Sequence, residues 1–171
     1  MISKKHTEML VHAVITSRLD YCNSLFFNLS KSNIYKLQKV QNAAARLIAR
    51  TRKHQSVSSV IRDLHWLRIE SRIIFKILLL THKVIIGKCS ENLQVKYKSH
   101  CCRPQDMLML ETKPAVTEYG RRTFDYVAPR LWNALPPEIR SEEDTDSFKK
   151  SVKTLLFNGT EELKKIAFKY N

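Results

Sequence analysis

The sequence is poor in glycine and lacks any long apolar segment. Only three of its 171 residues are glycine, which argues against a turn-rich β-sandwich. No apolar run reaches the roughly 18 residues that a membrane-spanning helix requires. The longest candidate, residues 69–86, is interrupted by arginine, lysine and histidine. We therefore expect a mainly α protein with no membrane partner.

The N-terminal segment is a poor match to a secretory signal peptide. Two lysines open MISKKHTEMLVHAV, but His6, Glu8 and His12 interrupt the region that should be apolar. An intracellular protein, in the cytoplasm, the nucleus or both, fits these residues best. In such a compartment we expect reduced thiols at all four cysteines: Cys22, Cys89, Cys101 and Cys102.

No sequence motif predicts catalysis or the binding of a metal or cofactor. Cys89, Cys101 and Cys102 lack the paired spacing of zinc ligands, and neither a phosphate-binding glycine loop nor a Gly-x-Ser-x-Gly motif occurs. The carboxylates of residues 1–140 occur singly, whereas polymerase-type catalysis gathers several at one metal site. The acidic cluster at 142–146 precedes a predicted helix, whose dipole it favours. We therefore predict no catalytic residue, no metal site and no cofactor.

Acidic residues are missing from a long central part of the chain. Between Tyr21 and Arg62 there are eight lysines and arginines and no aspartate or glutamate, and the formal net charge of the chain is +14. Charge of one sign concentrated in one segment is typical of nucleic-acid-binding surfaces, and less often of surfaces that bind anionic lipid. The alternative interpretation is an ordinary solvated basic helix.

Residues 33–52 have the periodicity of an amphipathic helix with a basic face, and Ser30 or Ser32 is available as its N-cap. At about 100° per residue, the apolar side chains fall within an arc of roughly 140°: Ile34, Leu37, Val40, Ala44, Leu47 and Ile48. Lys39, Arg46, Arg50 and Lys53 fall within about 60° of one another on the opposite side. The predicted nucleic-acid-binding residues are Tyr35, Lys36, Lys39, Arg46, Arg50, Arg52 and Lys53.

Tyr35 is included because it lies near the edge of this basic face, where its ring could stack on a base. Trp66 and Trp132 are flanked by apolar residues, so we predict that both are core residues.

Apolar periodicity predicts three further helices in the N-terminal half, within residues 7–18, 56–67 and 70–86. The first should bury one face formed by Leu10, Val11, Val14 and Ile15, and the second should bury Val57, Val60, Ile61 and Leu64 with Ser56 as its cap. The third is apolar on nearly all sides, as expected of a central helix, and Gly87 is a suitable stop.

The pattern changes after Gly87. Residues 107–120 predict a short β-hairpin with its turn at Lys113-Pro114. Residues 120–140 predict a helix that is interrupted or kinked at Pro129 and ended by Pro136-Pro137. Residues 145–157 predict a capped amphipathic helix whose apolar face is formed by Phe148, Val152, Leu155 and Leu156, with Gly159 past its end. The fold class is therefore mainly α: a helical bundle over residues 1–88, followed by a mostly helical extension with a short hairpin over residues 89–171.

Three stretches of the sequence are similar to one protein family: SRLDYCNSLFFNLSKSNIYKLQKVQNAAARLI, DLHWLRIESRIIFKILLLTHKVIIG and YGRRTFDYVAPRLWNALPPEIRSEEDTDSFKKSVKTLLF. In the same order, they resemble the C-terminal part of the reverse transcriptase polyprotein of LINE-type non-LTR retrotransposons, of the jockey and chicken-repeat kind. The resemblance covers residues 10–157. Asn28 and Ser30 stand where the family usually has glycine and proline, which loosens the expected turn before residue 33.

The resemblance implies that residues 1–88 form a thumb-like helical bundle, which in this family grips the primer–template. At the match around LQKVQNAAARLI, the resemblance implies that Lys39, Arg46 and Arg50 contact the nucleic-acid backbone. The family's catalytic aspartates lie in an aromatic-x-Asp-Asp box of the palm, and this chain has no Asp-Asp pair. The expectation is a fragment without palm, endonuclease or enzymatic activity that binds RNA or DNA regardless of sequence.

The alternative expectation is a vestigial or protein-interacting helical fragment with no nucleic-acid role. A thumb separated from its palm should expose apolar surface, and exposed apolar surface promotes self-association.

Overall fold

The computed structural model describes residues 3–52, 54–89, 92–99, 108–159 and 163. The chain is mainly α, as predicted, and the described residues contain no β-strand. The α-helices are α1 (Lys4–Val11), α2 (Ser17–Asp20), α3 (Lys31–Ala49), α4 (Ser58–Asp63), α5 (Ile69–Ile85), α6 (Phe124–Asn133), α7 (Pro137–Arg140) and α8 (Thr145–Phe157). A π-helix (His12–Thr16) joins α1 to α2, and 3₁₀ helices span Asn23–Phe26 and Gly120–Arg122.

The first predicted helix is present, but its predicted apolar face is only partly buried. Val11 is buried against α3 and Ile15 is half-buried, whereas Leu10 and Val14 remain more than half exposed. The prediction was therefore wrong for Leu10 and Val14, because α1 is covered along one narrow line by α3 and not along its full apolar arc.

The start of α3 is fixed by a tight turn and a serine cap. Asn28 has a left-handed backbone with φ of 57°, a conformation that asparagine adopts more readily than most residues. Ser30, and not Ser32, is the N-cap, and its Oγ accepts a hydrogen bond from the N–H of Asn33 at 3.4 Å. The helix therefore begins two residues before the predicted start at residue 33.

The end of α3 also differs from the prediction. Arg50 is the C-cap and has a left-handed backbone with φ of 53°, which stops the helix. The N–H groups of Arg50 and Thr51 both bond the carbonyl of Arg46. Arg52 consequently lies in the loop after α3 and not on the helix.

The buried face of α3 is rotated from the predicted apolar arc. Its buried residues are Ile34, Gln41, Ala44, Ala45 and Ile48. Val40 and Leu47, which were predicted to be buried, are 47% and 58% exposed. The reason for this rotation is a buried polar side chain. Gln41 donates from Nε2 to the carbonyl of Leu67 at 2.8 Å, so this side of α3 faces the start of α5.

The two following helices largely agree with the prediction. Val57 and Ile61 are buried and Val60 and Leu64 half-buried around α4, although Ser56 does not cap it and Val57 occupies the N-cap position. Buried residues line α5 on most sides: Ile69, Ser71, Ile73, Ile74, Ile77, Leu78, Thr81 and His82. Both predicted core tryptophans are buried, Trp66 at 6% and Trp132 at 1% exposure.

Gly87 ends α5 as predicted. Its φ of 69° places it in the left-handed region, where glycine carries no Cβ penalty. The N–H of Lys88 donates to the carbonyl of Lys83 at 2.8 Å, and that of Gly87 to the carbonyl of Val84 at 3.2 Å. This pair of bonds is the Schellman arrangement that satisfies the last carbonyls of a helix.

The predicted hairpin over residues 107–120 was wrong. An isolated antiparallel bridge instead joins Tyr97 to Leu110, with hydrogen bonds from Lys98 to Met109 and from Glu111 to Lys96. The partner of the 109–111 segment thus lies about twelve residues earlier in the chain and not across a turn at Lys113-Pro114.

The C-terminal helices pack onto α5. Helix α6 runs unbroken through Pro129, where an interruption or kink was predicted. Asp144 caps α8, and the N–H of Ser147 donates to its carboxylate at 2.7 Å, which lowers the pKa of that carboxyl. Apolar side chains of α5, α6 and α8 share one core. The division of the chain at residues 88 and 89 stays a prediction.

Candidate nucleic-acid interface

The exposed face of α3 carries the first part of the predicted basic surface. Lys36 and Lys39 are exposed and lie one helical turn apart. Tyr35 is 60% exposed, and the Nζ atom of Lys39 lies over its ring, 4.6 Å from the ring centroid. This geometry is a cation–π contact, so the tyrosine ring and the lysine charge are presented together to solvent.

Arg46 has a structural role that the sequence did not predict. Its side chain is half-buried, and Nη2 donates to the carbonyl of Gln55 at 3.5 Å. Its Nε atom is buried and has no hydrogen-bond partner in the described part of the chain. Arg46 therefore tethers the loop after α3 as well as contributing positive charge to the surface.

The three remaining predicted contacts lie at or beyond the end of α3. Arg50 is exposed at the C-cap. Arg52 is exposed in the loop, where its backbone N–H donates to the Gln55 side chain at 3.1 Å. Lys53 lies outside the described residues. Of the predicted cations, Lys36, Lys39 and Arg46 therefore lie on α3 itself, and the left-handed residue at 50 redirects the chain beyond it.

Four cations of this surface have no carboxylate partner among the described residues. Lys36, Lys39, Arg46 and Arg52 form no ion pair within the ranges that the structure describes, and the Nζ atom of Lys36 bonds only the neutral Asn33 side chain at 3.4 Å. Ion pairs elsewhere in the described chain include Arg72–Asp20, Lys113–Asp125 and Lys149–Asp146.

Two glutamines missed by the sequence reasoning set the orientation of this surface. Gln38 accepts the N–H of Ile69 at 3.1 Å through Oε1, and its Nε2 donates to Gln41 at 2.9 Å. Gln41 in turn bonds the carbonyl of Leu67 at 2.8 Å. These bonds lock one side of α3 against the start of α5 and so turn the lysine side outward. The available sequence signal was Gln41 inside the predicted apolar arc, with Gln38 about 40° beyond its edge.

Neither a metal site nor a membrane span is found in the part of the chain that the structure describes. No three His, Cys, Asp or Glu side chains there are placed to hold an ion together. None of the helices there has the length and hydropathy needed to cross a bilayer.

Comparison of the chain with protein-family models, with curated proteins and with solved structures found no match in any of the three.

Proposed function

We propose that this protein binds the phosphate backbone of RNA or DNA, without regard to sequence, through the exposed face of α3. The observation that carries the proposal is a helix of 19 residues whose exposed lysines have no carboxylate partner among the described residues. Lysine and arginine that approach phosphates release condensed counterions, and this release drives sequence-independent binding. Contacts to the backbone position a protein but carry no sequence information.

The dimensions of α3 suit this role. At about 1.5 Å per residue, the helix from Lys36 to Arg50 extends about 21 Å. That length corresponds to roughly six phosphates of one strand at about 3.4 Å per nucleotide along a duplex axis. The side chains of Lys36, Lys39 and Arg46 are spread over much of this length, so several phosphates of a single ligand can be contacted together.

We further propose that the chain is the thumb-like part of a LINE-type reverse transcriptase and has no polymerase activity of its own. The three similar stretches support this origin, and the exposed basic helix is the part of the fold that such a thumb would use to hold a primer–template. Under this proposal the protein helps to hold the primer–template but catalyses no reaction.

The experiment that tests the proposal is binding of a single-stranded and a duplex oligonucleotide, measured by fluorescence anisotropy across salt concentrations. For about three phosphate contacts, log K should fall with log salt with a slope of about −2 for single strands and about −2.7 for duplex. A slope near zero, or no binding at low salt, would refute the proposal.

Tyr35 provides a prediction that separates single strands from duplex. Tyr35→Ala should weaken binding of a single strand by about 1–3 kcal/mol, because an exposed ring can stack on an unpaired base. Tyr35→Phe keeps the ring and should bind nearly as well as the natural chain. Duplex binding should change little in either variant, since paired bases are not available to the ring. An equal loss for single strand and duplex would show that Tyr35 acts only by placing Lys39.

Association between protein chains is a second candidate function, favoured by apolar side chains at the edge of the same helix. Val40 and Leu47 are 47% and 58% exposed on α3. If a second copy of this chain covers them, the purified protein should be a dimer in light scattering, and Leu47→Gln should make it monomeric. A monomeric natural chain that binds RNA would exclude this candidate.

A further inference from the structure

A second basic surface lies in a groove between α4 and α8. The groove has a volume of about 650 Å³, within the range of small-ligand sites. The side chains that matter here are Arg62, His65, Lys150, Lys153, Phe157 and Asn158. None of these residues belongs to the α3 surface, and none was predicted from the sequence as a binding residue.

The groove is positively charged, and no carboxylate belongs to the part of its lining that the structure describes. Arg62, Lys150 and Lys153 are exposed, and none of them forms an ion pair with a residue that the structure describes. Three permanent cations around one groove repel one another unless an anion lies between them. A bound anion would relieve this repulsion, and it is the reason for the arrangement that we favour.

An aromatic wall lies beside these cations. Phe157 is half-buried, its ring centroid is 6.2 Å from that of His65, and the two rings are edge to face. The Nζ atom of Lys153 lies 6.0 Å from the same phenyl centroid. A ring and a cation that close together can contact the base and the phosphate of one nucleotide.

The backbone at His65 holds this wall in place. His65 has a φ of 52°, a left-handed conformation that is uncommon for a residue with a side chain. The N–H of Trp66 bonds the carbonyl of Ile61 at 3.0 Å, and that of His65 bonds the carbonyl of Arg62 at 2.9 Å. These bonds end α4 and direct the imidazole towards Phe157. Glycine would end the helix equally well but would leave the groove without this ring.

The groove continues into a second one, of about 480 Å³, with which it shares His65 and Lys153. Asp20 lines this continuation, but Arg72 pairs with it at 2.5 Å. Lys76 lines the same continuation and forms no ion pair with a described residue. The positively charged surface is therefore longer than a single phosphate group. It can contact a sugar–phosphate group that extends out of the first groove.

We propose that this groove binds a nucleotide, with its phosphate between Arg62, Lys150 and Lys153 and its base against Phe157. The same chemistry has two sources, which are a free nucleotide and the 5′-phosphorylated end of a strand. The inference does not require that α3 binds nucleic acid, because the two surfaces share no residue.

The test is calorimetric titration of the full chain with AMP, adenosine and inorganic phosphate at low salt. AMP should bind more tightly than either of its parts, because only AMP offers both phosphate and base. Lys150→Gln/Lys153→Gln should weaken AMP binding about tenfold or more, since two charged contacts are lost. Circular dichroism should be unchanged because both lysines are exposed.

A matched control removes the same charge elsewhere. Lys113 and Lys149 pair with Asp125 and Asp146 outside the groove, so Lys113→Gln/Lys149→Gln should bind AMP within about twofold of the natural chain. Lys36→Gln/Lys39→Gln should also retain AMP binding, and this variant separates failure of the groove from failure of the α3 surface.

Two strands of about 12 nucleotides, with and without a 5′-phosphate, distinguish the two sources. If the phosphorylated strand binds more tightly and Lys150→Gln/Lys153→Gln loses this difference, the ligand is a strand end. If the two strands bind equally while AMP still binds, the ligand is a free nucleotide. Three results would overturn the inference: no saturable AMP binding, inorganic phosphate binding as tightly as AMP, or an equal loss in the Lys113→Gln/Lys149→Gln control.

Discussion

Replacing Lys36 and Lys39 together by glutamine should weaken single-strand binding about 25-fold, and duplex binding about 60-fold, at about 0.1 M salt. Each phosphate contact contributes about 0.7 to the salt slope for a single strand and about 0.9 for duplex. Losing two contacts should therefore also reduce the slope by about 1.4 and 1.8. The change in slope and the change in affinity come from the same counterions, so both must appear in one salt titration.

The structure makes these two lysines the best positions for this measurement. Both are exposed on α3, glutamine and lysine have similar helix propensities, and neither side chain tethers a loop as Arg46 does. The fold should therefore survive the double replacement.

The Lys113→Gln/Lys149→Gln variant has the same net charge as Lys36→Gln/Lys39→Gln and serves as its control. If nucleic acid responds only to the overall charge of the chain, both variants should lose affinity equally. We expect the control to lose less than about threefold, because long-range effects of exposed charges are screened beyond about 10 Å at 0.1 M salt. Equal losses would contradict a localised site on α3.

Trp132→Ala should lower the free energy of unfolding by about 3–5 kcal/mol, as measured by urea denaturation. Trp132 is 1% exposed, and its ring lies 5.7 Å from that of Phe148 and 6.4 Å from that of His82. Its Nε1 donates to the carbonyl of Leu108 at 2.8 Å. The replacement therefore opens a cavity where α5, α6 and α8 meet and also removes a hydrogen bond.

Trp132→Phe separates the cost of the cavity from that of the lost hydrogen bond, and Tyr21→Ala serves as an exposed control. Trp132→Phe fills most of the cavity but lacks the indole N–H, so it should cost about 1–3 kcal/mol for the unsatisfied carbonyl. Tyr21→Ala removes an aromatic ring that is 77% exposed and should change stability by less than about 0.5 kcal/mol. If Trp132→Ala costs no more than Tyr21→Ala, residues 108–157 do not form the core described above.

The helices whose buried faces are mostly apolar were predictable from the sequence. In α5 and α8, apolar residues recur with helical spacing. Of the predicted apolar face of α8, Phe148, Val152 and Leu156 are buried, and Leu155 is half-buried. Gly87 and its hydrogen bonds confirm the predicted stop of α5. Helical period and a glycine stop are local signals, so they required no knowledge of the rest of the fold.

The rotation of α3 could not be predicted from the same signals. Hydrophobicity predicts that Val40 and Leu47 are buried, whereas both are exposed and the polar Gln41 is buried. Burial of Gln41 is favourable only because the carbonyl of Leu67, 26 residues away, accepts its hydrogen bond. A tertiary partner of this kind has no signature in the helix itself.

The groove between α4 and α8 was missed for a related reason. Arg62 and His65 are separated from Lys150 and Lys153 by more than eighty residues of sequence, and only the packing of α8 on α5 brings them to one place. The basic surface of α3 was easier to recognise, because its cations are neighbours in sequence.

The bond between Arg46 and Gln55 gives the α3 surface two unequal ends. At the Lys36 and Lys39 end, a phosphate meets side chains that are already free to receive it. At the other end, a phosphate that draws the Arg46 guanidinium away must first detach the segment that this side chain secures. If α3 binds a strand as proposed, we expect the strand to be held more firmly at the Lys36 end and its dissociation to start from the Arg46 side.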